Sequence, residues 1–296
     1  MGVEDDVAVK IDKERALRAF AAYVAAYDPA DPKISLKVDH TYRVAELAER
    51  IARSLEPCAG PLAAAGQGDA DADCASAGVS GTGNEDAGLA WLLGLLRDIG
   101  RFEQVRRWGT FNDAQSVGHA QLGARILFDC AHGCPPLIRS FVEDDAEDDR
   151  IRTAVALHSA WRLPEGLDER TRRFCEILRD ADKVDILKVN CIDSVESIYG
   201  MPESAMLESA LSDEAVSWFS RHSTIPRDAR HYPADILLGH VCFAWELAYP
   251  ESRRIMVEQG YVFQMMERPF ARPATRAAFA RMEAELKSYL ADQGIR

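Results

Sequence analysis

Long apolar stretches are missing from this chain: the longest, around Ala87 to Leu96, is roughly half of the ~20 residues that a membrane-spanning helix needs. No membrane partner is therefore expected. Basic charge is scarce too. With a formal net charge of −13 the chain lacks the basic face that displaces counterions from a phosphate backbone, which excludes a nucleic-acid polymer as the main partner and leaves room only for a small basic pocket. The opening residues, Met1 to Lys10, have neither the basic nor the apolar region of a signal peptide, so no export is expected. Seven cysteines, an odd number in a chain large enough to need no staples, agree with a reducing cytoplasm. Cys130 and Cys134 flank His132, but no second cysteine pair stands at ligand spacing, and they are read as loop cysteines rather than a zinc site.

Several catalytic signatures are absent as well. There is no Gly-x-Ser-x-Gly elbow, no GxxxxGK[ST] loop and no GxGxxG after a strand. Alternating β-branched runs are nearly lacking, and apolar residues recur at steps of three and four, so the chain reads as all-α. Helices are expected at about 13–27, 36–56, 87–105, 116–131, 150–160, 168–190, 203–222, 231–248, 251–267 and 273–292. The stretch at about 57–86 is rich in Gly, Ala, Ser and Asp and cannot bury enough surface to offset its ordering entropy, so it is expected to be a flexible insert. It interrupts a single domain over about 13–292, because the helices on both sides of it carry parts of one constellation. The acidic run Glu143 to Asp149 reads as a solvated loop, without the glycine turn of an EF-hand.

What stands out is a carboxylate in the wrong place. The apolar run ends in Arg97-Asp98, and an ionised carboxylate at the end of a buried helix needs a cation or a metal. Partners can be found by helical spacing. His40 shares a stripe with Val44, Leu47 and Ile51; His119 with Leu122 and Ile126; His158 with Ile151 and Val155; Asp182 with Leu178 and Ile186. Each alone is an ordinary core residue satisfied by a hydrogen bond. Together, three imidazoles and two carboxylates suit Mn, Fe, Ni, Co or Zn better than calcium. Spacing alone leaves their convergence open. Between them, Trp108 and Phe111 form a pocket wall or a core seal, and Asp113 or Ser116 is expected to cap the next helix.

His40 in VDHTYRV, Asp98 in LLRDIGRFEQ, His119 in SVGHAQLG, His158 in ALHSAW and Asp182 in RDADKVDIL make the chain resemble the HD-domain superfamily of metal-dependent phosphohydrolases, over about 34–190. The remainder, about 200–292, reads as a helical extension without a motif. The resemblance implies a helical-bundle HD domain in which His40, Asp98 and Asp182 hold a first metal, and Asp98, His119 and His158 a second. The departure is Arg97, which stands where the family has the histidine of its His-Asp doublet. Arginine stays protonated and offers no lone pair, so the first position loses a ligand and gains a cation.

Three readings follow. Arg97 turns aside, and a metal, one ion in preference to two, supports hydrolysis, with Asp98 or Asp182 orienting the water and Arg97, Arg101 or Lys183 holding a substrate phosphate. Alternatively, Arg97 replaces the first metal by pairing with Asp98 and Asp182, and the domain binds a phosphorylated ligand or partner as a regulatory module without cleaving it. Arg101 and Lys183 also read as ordinary surface charges. In the third reading the residues are only a polar core cluster. The expectation is a cytoplasmic phosphohydrolase, phosphomonoesterase or phosphodiesterase, acting on a small phosphorylated metabolite or nucleotide.

Overall fold

A computed structural model describes residues 9–56, 83–129 and 134–295. Among them there are helices and no strand: α1 (Lys13–Val24), α2 (Pro32–Ser54), α3 (Gly83–Leu96), α4 (Ile99–Trp108), α5 (His119–Phe128), α6 (Ile138–Phe141), α7 (Asp148–Leu157), α8 (Glu169–Ile192), α9 (Val195–Tyr199), α10 (Glu203–Leu207), α11 (Asp213–Ser220), α12 (Pro233–Val241), α13 (Pro250–Gln259), α14 (Tyr261–Met266) and α15 (Pro273–Asp292), with short 3-10 turns between some of them. No helix among the described residues is long and apolar enough to cross a membrane. Buried apolar side chains from Ala16 on α1 to Leu290 on α15 form one continuous cluster.

Local chemistry sets the main helix starts. Asp31 accepts from the Lys33 amide at the head of α2, with Pro32 in the first turn, so this helix begins four residues before the expected 36. Asp168 caps α8 in the same way, accepting from the Thr171 amide. α3 is apolar on every side and packs along α2, where Gly94 meets the Ala45 backbone: a Cβ on Gly94 would lie 2.5 Å from the Ala45 Cα. Gly100 does the same for α4 and α5, its Cβ position being 2.3 Å from the His119 carbonyl oxygen.

The helix expected at about 87–105 is broken. α3 stops at Leu96, and Asp98, at φ −98° and ψ 14°, starts α4 without using its side chain as a cap. That carboxylate is thereby left free to point inward. The expected helix at about 116–131 begins only at His119, behind Gly118. Asp113 and Ser116 therefore do not cap it. Asp113 opens a 3-10 turn capped by Asn112, and the Ser116 hydroxyl donates to the Asn112 carbonyl.

The expected 251–267 helix is split at Gly260, whose φ of 70° cannot continue a right-handed helix. The 203–222 segment is likewise two helices, and 231–248 is α12 followed by a 3-10 turn. Of the expected insert, residues 57–82 lie outside the described residues, as do Cys130 and His132, while 83–86 form the first turn of α3. The acidic run is not wholly a solvated loop, because Glu147 is buried between Arg150 and Arg170 and Asp148 opens α7.

Candidate metal centre

Asp98 lies where α2, α5, α7 and α8 meet the α3–α4 break, and its two oxygens face different neighbours. Around Oδ1 stand His119 Nε2 at 3.6 Å and His158 Nε2 at 3.5 Å. Around Oδ2 stand the Lys37 ammonium at 2.7 Å, His40 Nε2 at 3.7 Å and Arg97 Nη2 at 3.5 Å. Asp182 closes the second group, with Oδ1 3.2 Å from His40 Nε2 and 3.0 Å from Arg97 Nε. Five of the residues singled out from the sequence, His40, Asp98, His119, His158 and Asp182, are thus brought together. They form two potential ligand groups that share Asp98.

The two groups differ in chemistry. Each imidazole of the Oδ1 group has its other nitrogen fixed. His119 Nδ1 lies 2.7 Å from Asp113 Oδ2, and His158 Nδ1 lies 2.8 Å from the Val155 carbonyl oxygen. Both partners only accept, so each Nδ1 carries a proton, which in the neutral form of the ring leaves an Nε2 lone pair turned inward. These two lone pairs face one another at 3.0 Å. Nitrogens this close could both bind a single ion. Burial, assisted by the charge of Arg101, pushes His119 down to about 4 against the pull of Asp113. Three potential ligand atoms therefore converge, and this donor set fits a divalent transition metal.

The Oδ2 group does not fit a metal. Lys37 and the wholly buried Arg97 already put two cations there. His40 has Asp185 Oδ2 2.6 Å from Nδ1 and Asp182 beside Nε2, so each ring nitrogen faces a carboxylate. Asp185 is held in turn by the fork of Arg43 at 2.7 and 2.9 Å. Burial opposes the charge of Asp98, but Lys37 and Arg97 outweigh it and hold the carboxyl well below the usual range. Arg97, followed by His40, does the same for Asp182. For Lys37 burial dominates and lowers its pKa, with Asp98 opposing.

The three expected phosphate-binding cations have different fates. Arg97 Nη1 donates to the Gly94 carbonyl at 3.0 Å, while Nη2 finds no hydrogen-bond partner. Arg101 Nη1 donates to Gln104, to the Phe111 carbonyl and to Asp113, and its Nε is also left over, 3.7 Å from Asp98. Among the described residues, these two buried N–H groups thus have no hydrogen-bond partner, and each stands within ion-pair distance of Asp98. Lys183 lies elsewhere, paired with Glu246 at 2.9 Å. Phe111 lies under the Lys37 and Arg101 cations at 5.3 and 5.6 Å, whereas Trp108 is exposed.

Sequence reasoning missed Lys37, Asp113 as the partner of His119, Asp185 and Gln104, whose amide fixes Asp113 and Ser116 at 2.9 and 2.8 Å. Lys37 was visible in principle, three residues before His40 and so on the same face of α2.

Residues 38–187 match the family model described as HD domain. No curated protein and no solved structure matches the chain.

Proposed function

Because the chain belongs to the HD-domain family, we propose that it is a phosphohydrolase that works with one divalent transition metal, held by Asp98, His119 and His158. The observation that carries this reading is the meeting of three potential ligand atoms, with two imidazole nitrogens at 3.0 Å, in a buried site. An ion bound there supplies a Lewis acid and acidifies water into a nucleophile. The remaining work belongs to the chain itself. Asp113 and the Val155 carbonyl fix the tautomers of His119 and His158. Asp182, at 17% the most exposed carboxylate of the two groups, is kept ionised by Arg97 and accepts a hydrogen bond from incoming water.

Substrate charge is met by Arg97 Nη2 and Arg101 Nε, the two N–H groups beside Asp98 without a hydrogen-bond partner among the described residues. The balance of charges agrees with an anionic substrate. Four carboxylates, Asp98, Asp113, Asp182 and Asp185, are matched by the four cations Lys37, Arg43, Arg97 and Arg101. A divalent ion would leave two positive charges, which suits a phosphomonoester dianion. A small phosphorylated metabolite or nucleotide is the corresponding substrate class.

A second reading, a regulatory module that binds phosphate without cleaving it, draws support from the Lys37 ammonium 2.7 Å from Asp98, which pre-empts one metal position. One experiment separates the two. The purified chain, chelated and then reconstituted with Mn, Fe, Co, Ni or Zn, is assayed for metal content and for release of phosphate from a panel of phosphomonoesters. About one ion per chain with turnover, both lost in His119→Ala and His158→Ala, is the expected result. One ion without turnover favours the module, and no ion under any condition overturns both the metal site and the hydrolase.

A further inference from the structure

Away from both ligand groups, a cleft of about 380 Å³ opens between α8 and the loop that follows His158. Its size is that of a small-molecule site. None of its lining residues belongs to the metal centre. The two are nevertheless neighbours in sequence: Lys183 in the cleft follows Asp182, and Trp161 stands three positions after His158. Arg179 ties the loop to α8 by donating to the carbonyls of Ala160 and Trp161.

The polar groups of the cleft divide sharply into spent and unspent. Its three carboxylates are all occupied. Glu176 accepts from the Tyr249 hydroxyl at 3.0 Å, Asp180 from the amides of Ala248 and Tyr249 at 3.1 Å each, and Glu246 binds Lys183. Of the three guanidinium groups, Arg179 is spent on the loop carbonyls and the other two are not. Arg172 uses Nη2 on the Pro164 carbonyl at 2.8 Å and leaves the rest of its fork open, and the exposed Arg162 makes no ion pair or hydrogen bond among the described residues. Beside them Trp161 leaves 49% of its surface open to solvent. In a chain of net charge −13, two unspent guanidinium groups beside an open indole form a local exception.

We infer that this cleft binds a nucleotide, with the base stacked on Trp161 and the phosphate held by Arg162 and Arg172. Guanidinium forks match phosphate oxygens in pairs, and an open indole offers a flat platform to a base. The four cations that line the cleft, Arg162, Arg172, Arg179 and Lys183, outnumber its three carboxylates, Glu176, Asp180 and Glu246, so the lining is positive on balance. The inference does not depend on a metal being bound at Asp98.

Titration calorimetry of the full chain in chelator, with the four ribonucleoside monophosphates as probes, tests it. At least one is expected to bind saturably, and Arg162→Ala with Arg172→Ala to weaken it tenfold or more. Trp161→Ala weakens it several-fold, and inorganic phosphate or the free nucleoside binds at least tenfold more weakly than the nucleotide. Trp161→Ala and Arg162→Ala alter exposed side chains, and an unchanged melting temperature confirms that they fold. Binding by none of the four nucleotides, or binding unaltered in these variants, overturns the inference. Binding that needs metal and disappears in His119→Ala also overturns it while leaving the phosphohydrolase reading intact.

Discussion

Arg97 carries a full charge with 0% exposure, and that charge decides what the Oδ2 group can hold. Replacing it with histidine and Lys37 with methionine removes both cations and supplies an imidazole. The double variant is expected to bind one more equivalent of metal than the unaltered chain, measured by elemental analysis after dialysis. Arg97→Ala alone strands Asp182 and is expected to cost about 2–3 kcal/mol in urea unfolding, less than for a wholly buried pair because Asp182 is 17% exposed.

A second residue-scale prediction concerns acid. His119 is pushed down to about 4 and His240 to about 3, both by burial first, so the folded state keeps them neutral where the unfolded chain takes up protons. Their contribution is complete above pH ~6.5 and is lost as pH falls toward their folded values, for His119 by about 3 kcal/mol. Asp98, Asp113, Asp182 and Asp185, all held low, add further loss below pH ~4. Urea midpoints of the chelated protein between pH 7 and 4 check this, and a flat profile contradicts it. At this scale His40, His119, His158 and Asp182 could be read from stripe spacing, and Asp98 from its place at the end of an apolar run. Lys37 shares the face of His40, but a lysine near a helix start reads as a surface charge, and an aspartate in a polar loop such as Asp113 is ordinary there; only the folded chain shows what each one touches.

Among the elements, the contact between α4 and α5 is the one on which the metal centre depends. Gly100 abuts the His119 carbonyl and the Gly123 amide, and a Cβ there would lie 2.3 and 2.6 Å from them, both backbone atoms that cannot swing aside. Gly100→Ala must therefore part the helices that carry Asp98 and His119. It is expected to cost about 1–3 kcal/mol and to lower metal affinity more than tenfold. Gly88→Ala is the control, because its Cβ would meet Ile11 at an ordinary 3.6 Å and should alter neither stability nor metal binding.

Most helices were legible as elements, and their breaks were less so. Nothing in Leu-Leu-Arg-Asp-Ile signals an end to α3. The break follows from tertiary demands, since Arg97 turns to reach Gly94 and Asp182 while Asp98 turns toward the two histidines. The split at Gly260 is different. A glycine stood there in plain view, and the apolar periodicity running through it hid the stop.

Seen as a whole molecule, the chain after α8 is more than an appendage. Asp180 accepts from the backbone just before α13, and Met256, Val262 and Met265 are buried in the same apolar cluster as α2 and α8. The sequence carried no motif there, because packing of this kind leaves only an unspecific apolar pattern. The ligands around Asp98 also come from far apart, His119 on α5 and His158 just after α7, so the centre exists only when those helices have docked. That gives the arrangement a kinetic consequence. A contact completed last in folding is absent from the transition state, and a ligand that binds it leaves the folding rate unchanged and slows escape from the native state. Metal is therefore expected to act on the unfolding arm of the chevron alone, and stopped-flow unfolding with and without the ion would register it as a longer lifetime.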